Sequence, residues 1–209
     1  MSTPEKSVNV TIKPPNFQNA VFEIIGNAPL VIHRFSEKQK MIDDQSQGKP
    51  AGSKKKRDPL DTEKKFNEAR YISSAGWDGF HAASIRCGMI DVCRLVGFKM
   101  TLAKMSVFVV ADGRDKKEPQ IPLIRIIGKP IKQVDVARVE TGQPYICCRP
   151  AYHDWSAKVN IRWDADQFTL SDISNLLSRV GVQCGIGEGR PFSKNSAGMG
   201  WGTFDIKGK

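Results

Sequence analysis

The sequence predicts one α+β domain of 209 residues. Several segments rich in β-branched and aromatic residues have the character of strands, whereas two others carry apolar residues at helical spacing. Their order along the chain is strand, charged insertion, helix, several strands, helix and strand, which is typical of a sheet with helices packed on it. The length suits a single core, because domains commonly span about 100 to 200 residues.

The first strand is predicted in NAVFEIIGNAPLVIHRF, residues 19–35, with a bend at its Gly-Asn turn signal. Residues 36–70 follow and are rich in charge, Gly, Pro and Ser. This composition cannot supply a core and predicts an exposed, partly flexible insertion. We interpret its basic run, Lys54–Arg57, as a phosphate-contacting arm, with a nuclear address or a plain solvated loop as the alternatives.

The first helix is predicted in GFHAASIRCGMIDVCRLVG, residues 79–97, where Ile85, Met89, Val92 and Val96 share one apolar face. Small residues in the same segment would let this helix lie close against a sheet. The second helix is predicted in residues 169–181, with Thr169 as N-cap and Gly181 at its end. The apolar stripe of that second helix is Leu170, Ile173, Leu176, Leu177 and Val180.

Strands make up the middle and the end of the chain. Residues 104–113 are almost wholly apolar, so we expect this strand at the centre of the sheet. Further strands are predicted in 121–130, in VDVARVE, in PYICC and in the closing GWGTFDI. The clearest alternation is SAKVNIRW, residues 156–163, which predicts one core face and one cationic face. The core side is Ala157, Val159, Ile161 and Trp163, and the opposite side is Lys158, Asn160 and Arg162.

A glycine-rich loop, residues 182–202, lies between the second helix and the closing strand. Nucleotide-binding glycine loops follow a strand and precede a helix, and the order here is reversed. Because glycines also let a backbone approach a phosphate, we interpret the loop as one that grips nucleic acid, with Arg190 and Lys194 supplying charge and Trp201 stacking a base. On this hypothesis Gly187→Val or Gly200→Val impairs binding more than stability. The alternative is a flexible connector with Trp201 in the core.

The stretch CGIGEGRPFSKNSAGMGWGTFDI and the small-residue helix of residues 79–97 together resemble a known family. A glycine-rich loop between the last helix and last strand of a ferredoxin-like βαββαβ unit is the hallmark of the RAMP superfamily, the RNA-binding proteins of CRISPR systems. The resemblance implies a ferredoxin-like or RRM-like sheet with helices on one face, and RNA binding. The chain is shorter than most CRISPR backbone subunits. It also resembles small phage-encoded proteins through His33-Arg34-Phe35-Ser36, which implies a phage origin.

Charge and cysteine content narrow the class of partner. Lys and Arg total 32 against 22 acidic residues, a formal net charge of +10, which attracts polyanions and makes nucleic acid the expected partner. No stretch approaches the roughly 20 apolar residues that span a bilayer, so we expect no membrane partner and a cytoplasmic location in a bacterial or phage-infected cell. The five cysteines form no CxxC pair and are interpreted as reduced thiols, mostly in the core.

Candidate catalytic groups are sparse. His33, His81 and His153 are weighed as acid–base groups, but the sequence pairs none of them with a partner. The closest carboxylate pair, Asp164 and Asp166, precedes a helix, where Asp is common in turns and caps. We therefore expect no metal and no cofactor, and a protein that is not an enzyme.

The sequence thus predicts a non-catalytic protein that binds single-stranded RNA or DNA mainly through the phosphate backbone, with aromatic stacking. The alternatives are a metal-independent ribonuclease on the same fold and a phage structural or protein-interaction protein. Assembly of several copies along the nucleic acid is left open. The residues expected to contact nucleic acid are Lys54, Lys55, Lys56, Arg57, Arg149, His153, Lys158, Arg162, Arg190, Lys194 and Trp201.

Overall fold

The computed structural model describes residues 12–34, 61–138, 144–193 and 198–208. These ranges form a mixed α+β fold with antiparallel sheets, as the sequence predicts. The basic run Lys54–Arg57 and Lys194 lie outside them, so the predictions made for those residues stay predictions. In chain order the elements are β1 (Phe17–Gly26), β2 (Leu30–Val31), α1 (Thr62–Glu68), β3 (Tyr71–Ile72), β4 (Asp78–His81), α2 (Ala83–Cys93), α3 (Met100–Ser106), β5 (Val107–Val110), β6 (Gly113–Arg114), β7 (Pro122–Arg125), β8 (Ile131–Arg138), β9 (Pro144–Tyr152), β10 (Ser156–Asp164), α4 (Leu170–Arg179), a π-helical turn (Val180–Cys184) and β11 (Phe204–Ile206).

The main sheet has the strand order β11-β1-β10-β5, and each neighbouring pair is antiparallel. The alternation predicted for β10 is confirmed, because Ala157, Val159, Ile161 and Trp163 are buried. They share one core with the apolar faces of α2 and α4, which cover this side of the sheet. Removing apolar area from water stabilises the folded state by about 25 cal/mol per Å², and this burial holds the helices on this face.

Two smaller sheets flank the main one, in the orders β2-β9-β8 and β3-β4-β7-β6. The bridge between Ile127 and Ser156 joins the end of β7 to β10. A buried ion pair fixes the chain after β2, where the Arg34 guanidinium donates to Asp115 and, at 2.9 Å, to Glu118. Burying charged groups costs solvation free energy, and the pairing of these opposite charges offsets that cost.

Helix α4 confirms the predicted cap and corrects the predicted stripe. The Thr169 hydroxyl accepts from the Asp172 N–H, and the Asp172 carboxylate accepts from Thr169, which completes a capping box. The stripe is predicted to include Leu170, but this side chain, at the first residue of the helix, is 54% exposed. Gly181 does not end the helix. The chain continues through the π-helical turn, and Gly181 packs so tightly that a Cβ would lie 2.0 Å from the Phe204 carbonyl oxygen.

The boundaries of the first helical region and of β5 also differ from the prediction. Helix α2 ends at Cys93, so Val96 lies beyond it and is 48% exposed. Residues 100–106, partly predicted as strand, form α3. Strand β5 is at the edge of the main sheet and not at its centre. Its apolar sequence reflects a core-facing Val107 and side chains that pack on the opposite, open face.

The last part of the predicted insertion contains a helix. Asp61 caps α1 by accepting from the Lys64 N–H at 3.0 Å. The helix lies on β9, where the Cys148 thiol donates to the Thr62 carbonyl at 3.1 Å. Four of the cysteines are buried free thiols, which agrees with their predicted core position, whereas Cys87 is exposed. In the described part of the chain, no helix is both long and apolar enough to cross a membrane.

Candidate nucleic-acid interface

The main sheet has an open face on the side away from α2 and α4. The register places Asn19 opposite Arg162, Val21 opposite Asn160, and Glu23 opposite Lys158. Strand β5 adds Phe108 beside Arg162 and Val110 beside Asn160. Facing residues of an antiparallel pair point to the same side, so these side chains form one surface. Val21 is 62% exposed and Val110 is 42% exposed, which identifies the surface as accessible.

An aromatic cluster occupies one end of the open face. The rings of Phe17 and Phe108 meet edge to face with centroids 5.7 Å apart. The Arg162 guanidinium carbon lies 4.6 Å from the Phe17 centroid and 5.7 Å from that of Phe108. Arg86 also stacks near Phe108, at 5.2 Å, while its Nε donates to the Val107 carbonyl at 2.9 Å. Two aromatic rings with stacked arginines offer flat surfaces and positive charge together.

The exposed Arg162 guanidinium has no carboxylate partner within the described ranges. Its contacts are to rings, which leave its hydrogen-bond donors available.

A depression of about 550 Å³ lies at the other end of the face. It is lined by Lys158 of β10, Arg125, Trp77, Ile127 and Asp112. The Trp77 ring is held against two glycines, because a Cβ on Gly113 would lie 2.8 Å from it and one on Gly79 would lie 3.0 Å from it. A fixed indole and two cations border the depression.

Lys158 faces Glu23 across the strands, but that carboxylate accepts from Lys207 at 2.9 Å. Lys158 and Arg162 are four residues apart on one strand, a separation of about 13 Å along the sheet. The two cations predicted from the alternation are therefore on one accessible face, with an aromatic group near each.

The glycine-rich loop makes its close approaches within the chain. The Glu188 N–H donates to the Val31 carbonyl at 2.9 Å, and the Gly202 N–H donates to the Pro29 carbonyl at 2.8 Å. Gly187 has φ +75°, and a Cβ there would lie 2.5 Å from the Val31 carbonyl oxygen. The positive φ and the missing side chain of Gly187 allow its backbone to pack against β2. The hypothesis that this glycine makes room for a ligand does not fit the geometry.

Arg149 and Trp201, both predicted to contact nucleic acid, lie together but are engaged with each other. The Arg149 guanidinium carbon is 5.8 Å from the Trp201 ring, and its NH2 group donates to Asp135 at 2.6 Å. Only 12% of the Arg149 side chain is exposed. The Trp201 ring also packs on Gly189, where a Cβ would be 2.5 Å away. This half-buried contact joins β9 to the glycine-rich loop, so neither group is as free as the prediction required.

Arg190 lines a separate cleft of about 480 Å³ beside α2, together with His81, Ser84 and Asp91. Its NH1 group donates to the Gly187 carbonyl at 3.1 Å. His81 Nδ1 accepts from the Ala83 N–H at 3.1 Å, so the neutral ring carries its proton on Nε2. Burial lowers the pKa of His81 from its ordinary value. This imidazole is therefore neutral near pH 7.

Within the described ranges, the structure divides the predicted residues among four places. Lys158 and Arg162 share the open face, Arg149 and Trp201 form an internal contact, and Arg190 is in the cleft. His153 is exposed at the turn between β9 and β10. The open face also contains groups that the sequence analysis missed, namely Phe17, Phe108, Trp77 and Arg125. The alternation of β1 carried a signal for Phe17, because the inward Ala20, Phe22 and Ile24 place the odd-numbered residues outward.

Comparison with known protein families and with curated proteins finds no match to this chain.

Proposed function

We propose that this protein is a ferredoxin-like domain of the RAMP type that binds single-stranded RNA or DNA on the open face of its main sheet, without catalysis. The segments β1–α2–β5–β10–α4–β11 follow a βαββαβ order, and their strand order supports this assignment. The glycine-rich loop between α4 and β11 supports the RAMP resemblance. The smaller sheets are then insertions between the elements of the core unit.

The observation that carries the proposal is the surface cluster of the exposed Phe17 and Arg162 with the half-buried Phe108. An exposed ring on a sheet offers a stacking surface to unpaired bases, and each stacked base contributes roughly 1 to 3 kcal/mol. A duplex hides its base faces, so a stacking surface of this kind selects single strands. The charge of +10 adds attraction for phosphates that does not depend on sequence, as do Lys158 and Arg162, which form no ion pair within the described ranges.

One observation favours the alternative of a metal-independent ribonuclease. His81 and Arg190 line the same cleft, and an imidazole near an arginine can transfer a proton while the arginine stabilises a phosphate. The cleft also contains Asp91, whose carboxylate opposes an anionic ligand. The open face has carboxylates of its own, among them Asp164 two residues from Arg162, but it combines an exposed aromatic ring with an arginine that forms no ion pair within the described ranges, so binding there is the preferred function.

The test is a titration against single-stranded RNA, single-stranded DNA and duplex at several salt concentrations. We expect single strands to bind more tightly than duplex, and the double variant Lys158→Ala/Arg162→Ala to bind all single strands more weakly. Each lost phosphate contact should flatten the salt slope by about 0.7. The control is Lys99→Ala/Arg179→Ala, which removes the same charge from exposed positions outside the open face.

Equal losses in the two double variants would show that only net charge matters and would contradict the proposal. Cleavage products in the same reactions, lost in His81→Ala, would favour the ribonuclease alternative.

A further inference from the structure

We propose that two copies of this chain pair edge to edge through β8, so that the sheet β2-β9-β8 of one copy continues into that of the other. The partner is a second copy of the chain, related to the first by a two-fold axis at Val134. This inference concerns a different surface from the open face and does not rest on the proposed function.

Strand β8 is an edge strand of unusual length for this fold. It has 8 residues and pairs with β9, and in the described part of the chain no strand pairs with its other side. The other edge strands of the three sheets, β2, β3, β5, β6 and β11, have only two to four residues each. Short edge strands protect a protein against pairing with another chain. The free side of β8 is long enough for such pairing, and its outward N–H and C=O groups offer a ladder to a further strand.

Exposed apolar side chains lie along the same strand. Val134 is 52% exposed and Val136 is 69% exposed. The register places Val136 opposite Ile146 of β9, which is also exposed. Alternate residues of a strand and facing residues of an antiparallel pair point to the same side, so the three form one apolar patch that reaches the free edge. A strand added at this edge removes part of the patch from water.

The charged side chains in the described part of β8 are paired within the protomer. Lys132 forms an ion pair with Glu63 of α1, and Asp135 accepts from Arg149 of β9 at 2.6 Å. A lysine on an edge strand commonly opposes pairing with another chain, but the ammonium of Lys132 is held by a carboxylate. Residues 131–136 therefore present little repulsion to a second copy, although the chain carries a net charge of +10.

The sequence of β8 suits pairing with itself about Val134. In a two-fold antiparallel pair, each residue faces the one that lies equally far beyond the axis on the other copy. With the axis at Val134, this valine faces its own copy, and Gln133 faces Asp135, so that an amide can donate to a carboxylate. Lys132 then faces Val136, and its aliphatic stem can cover the exposed valine. An axis one residue further on would set Asp135 against itself, which is destabilising. This self-complementarity identifies a second copy as the partner.

The experiment measures the mass of the full-length chain, freed of nucleic acid, by sedimentation equilibrium at up to roughly 100 μM. We expect wild type to form a dimer. Val134→Lys places two like charges at the two-fold axis and should raise the dissociation constant of the dimer at least about ten-fold. Val21→Lys is the matched control, because Val21 is an exposed valine on a strand of the main sheet, and this variant should dimerise like wild type.

Disulfide cross-linking tests the register without a change of charge. Facing Cα atoms of an antiparallel pair are about 4.5 to 5.5 Å apart, which a disulfide can span. Cys87→Ser removes the exposed native thiol, and in that background Val134→Cys should give a covalent dimer on mild oxidation. Val136→Cys should not, because its two copies lie about 13 Å apart along the strands.

A wild-type chain that stays monomeric, a dimer that Val134→Lys does not weaken, or equal weakening by Val21→Lys would overturn this inference. A covalent dimer of Val136→Cys without one of Val134→Cys would overturn it as well. Nucleic acid is absent from these measurements, so none of these results bears on the proposed function.

Discussion

The Arg162 guanidinium carbon lies 4.6 Å from the centroid of the Phe17 ring, on a strand face that is open to solvent. The contact joins β10 to the start of β1 and places a cation over an aromatic face. Such contacts at exposed sites contribute about 0.5 to 1 kcal/mol. Arg162 is thereby held beside the two rings in the unbound protein, so on the proposed function less entropy is lost when a ligand binds.

The Arg162→Lys variant distinguishes the contribution of the positive charge at this position from that of the planar guanidinium group. Lysine retains the positive charge but lacks the planar group that stacks on Phe17. We expect the salt slope for single strands to remain as in wild type while the affinity falls by about 0.5 to 1 kcal/mol. Fluorescence anisotropy at several salt concentrations measures both quantities. Arg179→Lys on α4 is the matched control, and an affinity loss of the same size in that variant would show that the stack is unimportant.

A pair of glycine variants tests whether the glycine-rich loop serves packing. Gly187 and Gly200 both have positive φ, +75° and +78°, so alanine at either position incurs a similar backbone penalty, roughly 1 to 2 kcal/mol. Only Gly187 has a close neighbour, the Val31 carbonyl, whereas no described atom lies within 4 Å of a Cβ on Gly200. We expect Gly187→Ala to lower the free energy of unfolding by at least about 1 kcal/mol more than Gly200→Ala.

Chemical denaturation of the two glycine variants measures this difference. Equal stability together with weaker nucleic-acid binding in Gly187→Ala would restore the hypothesis that this glycine makes room for a ligand.

The pKa of His81 predicts a pH dependence of stability. Burial lowers this pKa in the folded protein, whereas the unfolded value is about 6.5. The unfolded state binds more protons in the interval between the two values. Stability from the neutral His81 is therefore fully present above about pH 6.5 and declines as the pH falls from there toward the folded pKa.

His81→Asn tests this dependence, because the asparagine oxygen can replace Nδ1 as the acceptor for the Ala83 N–H. We expect the stability advantage of wild type over the variant to shrink between about pH 7.5 and pH 5.5. Urea denaturation across this range gives the two curves. Parallel curves would show that His81 does not titrate differently on folding.

Much of the fold could be predicted from local sequence patterns. The period of two in β10 depends only on which side chains meet the core, and it identified Lys158 and Arg162 as outward. The Thr169 cap of α4 is likewise local. Strand order depends on contacts between distant parts of the chain. Local sequence therefore predicts the apolar β5 at the centre of the sheet, which is wrong because β5 is an edge strand. Val107 and Val109 of this strand face the core, whereas Phe108 and Val110 belong to an open face whose other half comes from β1 and β10.

The candidate site was predictable only in part, for the same reason. Phe17 and Phe108 are 91 positions apart in the printed sequence and meet only through the strand order. Conversely, Arg149 and Trp201 were attractive in isolation, but the pairing of β8 with β9 brings Asp135 to Arg149 and neutralises it. Charge and aromaticity can be read from sequence, whereas their availability depends on the tertiary neighbours.

The most direct test of the account is photochemical cross-linking of the protein to a bromouracil-substituted single strand, followed by mass spectrometry of the cross-linked peptides. The account predicts that the cross-links fall on aromatic residues of the open face, at Phe17, Phe108 or Trp77. Arg162→Ala should reduce them, whereas Arg179→Ala should leave them unchanged. Cross-links confined to Trp201 or Phe192, with the open face unlabelled, would contradict the claim that this sheet face binds nucleic acid.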